Sequence, residues 1–172
     1  KKTFDHMRHL AEHDVMTGLA NRTQFQVQLG KMCGPDGSGG VLMLIDLDGF
    51  KEINDTLGHA YGDECLIEFT RRLSATCQSA DLIARIGGDE FAILFGPSSG
   101  QRAIERIAQR LVNAGKTPMN CSGRIFNISA SIGFAFAEAE TPTALFTRAD
   151  LALYAAKAAG GDTYRSALQN QS

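Results

Sequence analysis

The sequence predicts an α+β domain with a ferredoxin-like core, in which helices surround a central, mostly antiparallel sheet. Apolar runs of strand length and amphipathic stretches follow one another in the order β-α-α-β-β-α-β-α. That order is typical of a split βαβ unit whose helices cover one main face of the sheet. With 172 residues, 44% of them hydrophobic and 21% charged, the chain is long enough to bury the core of one domain.

The first half of the chain is predicted to contain one strand between two pairs of helices. Residues 41–45 form a continuous apolar run, which favours a strand buried on both faces. Phe4, Met7 and Leu10 recur at helical spacing, so the first helix is amphipathic. The four helices are predicted at about 3–13, 23–32, 50–57 and, after a turn at 58–62, the stretch that carries Leu66, Phe69 and Leu73.

The second half begins with a predicted β-hairpin at about 82–95. Two short apolar runs flank Gly87 and Gly88, and a Gly-Gly pair suits a tight turn between strands. The remaining elements are a helix at about 104–112, a strand at 124–137, and a helix that starts at the capping pair Thr141-Pro142 and ends at Gly160-Gly161.

Asp89 and Glu90 stand side by side at the tip of this hairpin, where small turn-forming residues are usual. Two adjacent carboxylates repel each other unless a cation or a ligand offsets their charge. Asp46 and Asp48 follow the buried strand and lie on one side of it. If that strand neighbours the hairpin, the carboxylates converge in the way that a divalent cation on a phosphate requires. The alternative interpretation is solvated acids at strand ends and in a turn.

Four motifs in this order resemble those of the GGDEF family, the diguanylate cyclases, over nearly the whole chain. They lie at 13–22, with Met16 where Leu is usual, and at 46–63, 87–91 and 150–157. The resemblance implies a palm-type nucleotide cyclase fold. It also implies that 14–165 are the GGDEF domain, 1–13 the end of an N-terminal linker or signalling helix, and 166–172 a C-terminal tail.

The resemblance further implies a diguanylate cyclase that joins two GTP molecules into cyclic di-GMP and releases two pyrophosphates. It gives Asp89 and Glu90 the catalytic role, and it makes Asp46, Leu47 and Asp89 the ligands of Mg²⁺, with Mn²⁺ as an alternative. Because the 3′-hydroxyl of each GTP attacks the α-phosphate of the other, the reaction implies a homodimer of half-sites.

Five further residues match substrate positions of the family. Phe50, Lys51 and Lys157 match contacts to the phosphates, and Asn54 and Asp63 match contacts to guanine. A carboxylate can accept hydrogen bonds from both N1–H and N2–H of guanine, a donor pair that adenine lacks. From the residues alone, Asn54 also fits a turn, Asp63 a helix N-cap, and each lysine a surface charge.

Besides Met16, two positions with consequences for ligand binding depart from the family pattern. Gly161 stands where a second cation for the triphosphate is usual, which predicts weaker GTP binding. Gln78 stands where the inhibitory site usually has Arg, while Asp81 is retained, so this site is predicted to be degenerate. Gly161 keeps an alternative open: a catalytically weak or inactive GTP-binding regulatory module.

Charge and composition limit the other partners. A net charge of −2 gives no general attraction to nucleic acid or an anionic membrane surface. The four cysteines lack a zinc-site pattern and favour a reduced, cytoplasmic setting, which is compatible with a membrane tether elsewhere in the full-length protein. Because the chain starts at Lys1, not Met, we expect an upstream sensor or signalling domain.

Overall fold

Six helices and seven strands lie along residues 1–167, the part of the chain that this computed structural model describes. In order, they are α1 (Lys2–Glu12), α2 (Arg22–Met32), β1 (Val41–Asp48), α3 (Phe50–Leu57), α4 (His59–Thr76), β2 (Leu82–Gly87), β3 (Glu90–Phe95), α5 (Gln101–Lys116), β4 (Met119–Cys121), β5 (Arg124–Phe126), β6 (Ser129–Phe136), α6 (Pro142–Ala158) and β7 (Thr163–Ser166).

Five strands form the central sheet in the order β2-β3-β1-β6-β7, and β4 and β5 pair separately. β1 lies in the middle, antiparallel to both β3 and β6. The strands β2, β3, β1 and β6, with the intervening helices, form the predicted ferredoxin-like core. The predicted α+β class with a mostly antiparallel sheet is therefore confirmed.

Helices cover both faces of this sheet, which confirms that helices surround it, whereas the narrower expectation of one main helical face is wrong. Val41, Met43 and Ile45 of β1 belong to the core formed with α3, α4 and α5. Leu42 and Leu44 belong to a second core, formed with α2 and α6. A strand that is apolar on both sides needs cover on both sides, and β1 is accordingly buried along its apolar length.

The strand predicted at 124–137 is in fact two elements. β5 pairs with β4 as a small hairpin, and β6 enters the central sheet beside β1. β7, absent from the predicted order, pairs in parallel with β6 over four residues, which is too short for a pattern to reveal. It includes Ser166 of the predicted tail, whereas 168–172 lie outside the described residues.

α4 begins earlier than predicted, so the expected turn at 58–62 is the first turn of this helix. Gly58, with φ 92°, is its N-cap residue. Gly62 packs so closely on α3 that a Cβ atom would collide with the side chain of Asn54. The alternative interpretations of two residues are also settled by these helix bounds. Asn54 lies in α3 and not in a turn, and Asp63 lies inside α4 and not at its N-cap.

α1 leaves its apolar stripe uncovered. Phe4 is 74% exposed and Met7 is 64% exposed, and no residue of α1 is buried. Within residues 1–167, no helix has both the length and the apolar character needed to span a bilayer.

Candidate active site

The acidic residues of β1 and of the hairpin tip meet at one edge of the sheet. Asp46 lies directly opposite Glu90 in the register of β1 and β3. Asp89 occupies the turn between Gly87, where β2 ends, and Glu90, where β3 begins. This register confirms that the carboxylates converge, while their catalytic roles stay a prediction.

The clustered charges shift the titration of this site. Burial and the neighbouring Asp46 carboxylate raise the pKa of Asp89 to about 6. Burial, then Asp46 and Asp150, raise the pKa of Glu90. Desolvation lowers the pKa of Lys157, but Asp46 and the other acids outweigh it, so the net shift is upward. The site therefore favours bound positive charge.

Asp46 shows how a cation fits here. Its Oδ2 accepts a hydrogen bond from Nζ of Lys157 on α6. Its Oδ1 is buried and has no hydrogen-bond partner in residues 1–167. A buried carboxylate oxygen without a partner is costly, and it is a suitable ligand for Mg²⁺.

The donor set around Asp46 is incomplete on its own. Leu47 and Asp89 line a neighbouring cleft together with Lys157, the hydrogen-bond partner of Asp46, and they add a main-chain carbonyl group and a second carboxylate to the set. In the described part of the chain, no group of three or more His, Cys, Asp or Glu side chains forms a ready metal site. The residues therefore fit a metal whose coordination is completed by phosphate oxygens of a ligand, as is usual for Mg²⁺.

A cleft of about 500 Å³ opens beside these acids, and the start of α3 lies on its wall. Gly49 adopts a left-handed conformation, with φ 78°, and α3 begins at the next residue. The first amides of a helix lack intrahelical partners and suit an anion such as phosphate. Phe50 is only 7% exposed, so it can meet a ligand through its backbone, whereas Lys51 is exposed. Gly160 and Gly161 also line this cleft.

Asn54 and Asp63 lie on two helices that pack against each other, α3 and α4. The Oδ1 atom of Asn54 is buried without a hydrogen-bond partner in the described chain, and Asp63 is half-buried. Both side chains are thus partly desolvated and can give strong hydrogen bonds to a ligand. Asn54 shares α3 with Lys51, which lines the cleft, whereas neither Asn54 nor Asp63 is among the residues that line it.

Comparison with known proteins identifies this arrangement. The family profile described as "Diguanylate cyclase, GGDEF domain" matches residues 11–163. The chain belongs to the GGDEF family. Diguanylate cyclase TpbB of Pseudomonas aeruginosa is 40% identical over 158 residues, which cover 88% of this chain and 36% of TpbB. Response regulator PleD of Caulobacter vibrioides is 39% identical over 168 residues, which cover 93% of this chain and 37% of PleD.

Solved structures confirm the GGDEF fold. The GGDEF domain of TpbB has a TM-score of 0.84 and 37% identity, covering 92% of this chain and 95% of that chain. The coiled coil and GGDEF domain of DgcB from Caulobacter crescentus, in complex with c-di-GMP, has a TM-score of 0.87 and 28% identity, covering 96% of this chain and 91% of that chain. The present GGDEF domain spans only about a third of the length of TpbB and PleD.

Asp48 has a structural role in this GGDEF domain that spacing alone does not reveal. Its carboxylate accepts hydrogen bonds from Oγ of Ser129 at 2.6 Å, Oγ of Ser131 at 2.7 Å and the backbone N–H of Asp162 at 2.9 Å. It thereby joins β1, β6 and the turn after α6. A Cβ atom on Gly161, whose φ is +75°, would lie 2.7 Å from Oδ2 of Asp48. A side chain at 161 therefore requires Asp48 to move.

We expect Asp48→Ala to lower the free energy of unfolding by about 3 kcal/mol, because three donors lose a charged acceptor and Ser131 is fully buried. For a chain of this size that is a fall in Tm of about 10 °C. The exposed Asp36 provides a matched control, and Asp36→Ala should leave Tm within about 1 °C. Equal Tm values for the two variants, measured by calorimetry, would contradict this role.

Two arginine side chains donate hydrogen bonds to backbone carbonyl oxygens near the hairpin tip of the GGDEF domain. Arg85 donates through Nε to the carbonyl oxygen of Gly88 at 2.9 Å and pairs with Asp14 at 3.3 Å. Arg22 donates to the carbonyl oxygen of Ile86 at 3.2 Å. The sequence gives no signal for the contact with Asp14, which joins residues 71 positions apart. These contacts fix the turn that carries Asp89.

Asp89 makes the protein without metal sensitive to pH. Its pKa rises from an ordinary value of 3.8 to about 6 on folding. The protonated Asp89 carboxyl group therefore adds to the free energy of unfolding below pH 3.8, and this contribution is lost as the pH rises through about 6. In EDTA, we expect Asp89→Asn to raise Tm by a few degrees at pH 7.5 and to have little effect at pH 4. The measurement is Tm of both proteins across this pH range. A difference in Tm between them that does not vary with pH would contradict the prediction.

Gln78 and Asp81, the two residues of the predicted inhibitory site, are exposed in the segment between α4 and β2. β2 separates them from the hairpin tip by six residues, or about 20 Å of extended chain. A ligand held there is therefore distinct from one in the cleft.

Proposed function

We propose that this domain condenses two molecules of GTP into cyclic di-GMP and releases two pyrophosphates. The observation that carries the proposal is the meeting of Asp46, Asp89 and Glu90 with Lys157 beside a cleft of about 500 Å³. Membership of the GGDEF family and the similarity to diguanylate cyclase TpbB support the same reaction.

Acidic residues, acting through a bound cation, and basic residues would together bind the phosphates. Asp46, Asp89 and the carbonyl group of Leu47 would hold Mg²⁺, with Mn²⁺ as an alternative, and the bound metal supplies neutralisation of charge on the phosphate oxygens. Lys157 would exchange its hydrogen bond to Asp46 for a charge-assisted contact with the triphosphate. The backbone at Phe50 and the side chain of Lys51 would complete the phosphate contacts.

Proton transfer is assigned to Glu90. It lies opposite Asp46 on the neighbouring strand but outside the proposed metal ligands, and its raised pKa makes it a better proton acceptor than an ordinary glutamate. Asp89 would act as a metal ligand and not as the proton acceptor. At the other end of the substrate, Asn54 and Asp63 would bind the guanine edge, which favours GTP over ATP.

Two chains are needed because the attacking hydroxyl and the attacked phosphate belong to different GTP molecules. We infer that two copies face each other, each with one GTP. The uncovered stripe of Phe4 and Met7 on α1 supports a signalling helix that pairs between copies, with 1–13 as linker and 14–165 as the catalytic unit. An upstream sensor would then act by changing that pairing. The reaction also needs GTP, so we propose a cytoplasmic location.

Incubation with GTP and Mg²⁺, followed by product identification by mass spectrometry, tests this function. Cyclic di-GMP together with pyrophosphate in a 1:2 ratio supports it, and ATP serves as the matched control substrate. GTP binding without product would instead support a regulatory module, a candidate that Gly161 favours because it offers the triphosphate no side chain.

We expect little inhibition by cyclic di-GMP away from the GTP site, because Gln78 cannot form the charge-assisted contacts to phosphate that Arg would form. Gln78→Arg should introduce inhibition that added GTP does not reverse. The measurement is the initial rate against GTP at several fixed product concentrations for both proteins. Strong noncompetitive inhibition of the unmodified domain that disappears in Asp81→Ala would contradict the prediction.

A further inference from the structure

Two of the four cysteines face each other across a buried contact. Sγ of Cys65, on α4, lies 3.4 Å from Sγ of Cys121, the last residue of β4. Cys65 is fully buried and Cys121 is 2% exposed, and both thiols are free. A disulfide bond is about 2.05 Å long, so the sulfur atoms need to approach by only about 1.4 Å.

We propose that Cys65 and Cys121 form a reversible dithiol–disulfide site that, when oxidised, joins the β4–β5 hairpin to α4 and weakens GTP binding. The change in GTP binding rests on the proposed function, because it acts through Asp63. The formation of the disulfide does not rest on it.

The coupling to the nucleotide site follows from contacts on both sides of Asp63. Oγ of Ser122, in the hairpin turn, donates to Oε1 of Glu64 at 2.5 Å. The ring of Phe126 in β5 packs edge-on against Tyr61, with 5.9 Å between centroids. Asp63 lies between Tyr61 and Glu64 on α4, so a displacement of the hairpin relative to α4 moves the turn that carries it.

Oxidation requires local opening of the hairpin. Burial, followed by the contact with Cys121, raises the pKa of Cys65 to about 12, so the closed pair contains little thiolate. β4 and β5 have three residues each and form no ladder with the central sheet, so the hairpin can open without breaking that sheet. Cys121, next to the exposed turn at Ser122, is then the first thiol to meet an oxidant.

Glutathione disulfide is an oxidant that balances the reaction. The thiolate of Cys121, having lost its proton to water, attacks one glutathione sulfur, forms a mixed disulfide and releases one glutathione thiolate. The thiolate of Cys65 then attacks Sγ of Cys121, the protein disulfide forms, and the second glutathione leaves. Two protein thiols are oxidised by two electrons, and one glutathione disulfide is reduced to two glutathione molecules that take up the two protons.

The experiment treats the 172-residue chain with glutathione disulfide and compares it with the reduced chain. We expect a mass loss of about 2 Da, a peptide that links Cys65 to Cys121, a rise in Tm of about 5 to 10 °C, and reversal by dithiothreitol. Titration with a non-hydrolysable GTP analogue in Mg²⁺ should show at least about threefold weaker binding after oxidation.

Cys77 provides the matched control, because burial raises its pKa to about 12 as well and, among the described residues, it has no sulfur neighbour. Cys77→Ala should retain both responses, and Cys121→Ala should lose both. Thiols that stay free, a glutathione adduct without the cross-link, or unchanged GTP affinity in the cross-linked chain would each overturn the proposal. If the reduced chain binds no GTP, the proposed function fails, and the mass measurement still decides whether the disulfide forms.

Discussion

We expect Asp89→Asn to lower the rate of cyclic di-GMP formation by about two to three orders of magnitude. The substitution keeps the shape of the side chain and removes a negative charge from the site where Asp46 and Lys157 converge. Loss of one group that stabilises charge in a transition state typically costs about 3 to 4 kcal/mol, which corresponds to this range of rates. The measurement is the initial rate at saturating GTP and Mg²⁺. Glu90→Gln should reduce the rate to a similar degree, because the proton acceptor is lost.

Stability separates this prediction from simple unfolding. The Asp89 carboxylate is destabilised by burial and by Asp46, so Asp89→Asn should be at least as stable as the unmodified domain at pH 7.5 in EDTA. An inactive but more stable variant is the expected combination. Asp36→Asn, at an exposed position, should keep full activity. An Asp89→Asn variant with a near-normal rate would remove Asp89 from the mechanism.

The sequence predicts the central part of this fold well because its signals are local. The continuous apolar run of β1 and the Gly-Gly turn of the hairpin are each read within a few residues, and the register that joins them brings Asp46 opposite Glu90. The Thr141 cap of α6 is likewise local, and the structure shows its hydroxyl oxygen accepting from the backbone N–H of Ala144.

What the sequence does not predict depends on contacts between distant segments. Asp46 and Asp48 look alike in the sequence, because both follow the apolar run of β1 on the same side of the strand. The carboxylate of Asp48, however, accepts hydrogen bonds from Ser129 and Ser131, more than 80 residues away. The β4–β5 hairpin and the early start of α4 escape prediction for a related reason. Strands of three residues carry no readable alternation, and only packing against α3 reveals that Gly62 belongs to a helix.

The second large effect is expected at the guanine edge. Asp63→Ala should raise the apparent KM for GTP by about 10- to 100-fold and narrow the preference for GTP over ATP, since the N1–H and N2–H donors lose a charged acceptor. Asp55, which is exposed on α3, provides a control, and Asp55→Ala should leave KM unchanged. Competition between GTP and ATP measures the preference, and equal binding of both nucleotides by the unmodified domain would rule out selection by Asp63.

A nucleotide with a different base tests the proposed contact between Asp63 and guanine. Xanthosine triphosphate carries an oxygen atom at C2 where GTP has an amino group, so a carboxylate at 63 repels it and an amide can donate to it. Asp63→Asn should therefore bind GTP more weakly and xanthosine triphosphate more tightly than the unmodified domain does. A purely structural role for Asp63 in α4 would weaken binding of both nucleotides together, because a distorted helix cannot distinguish an amino group from an oxygen atom. The crossover in preference, measured as the ratio of the two KM values, thus assigns base recognition to this side chain and not to the packing around it.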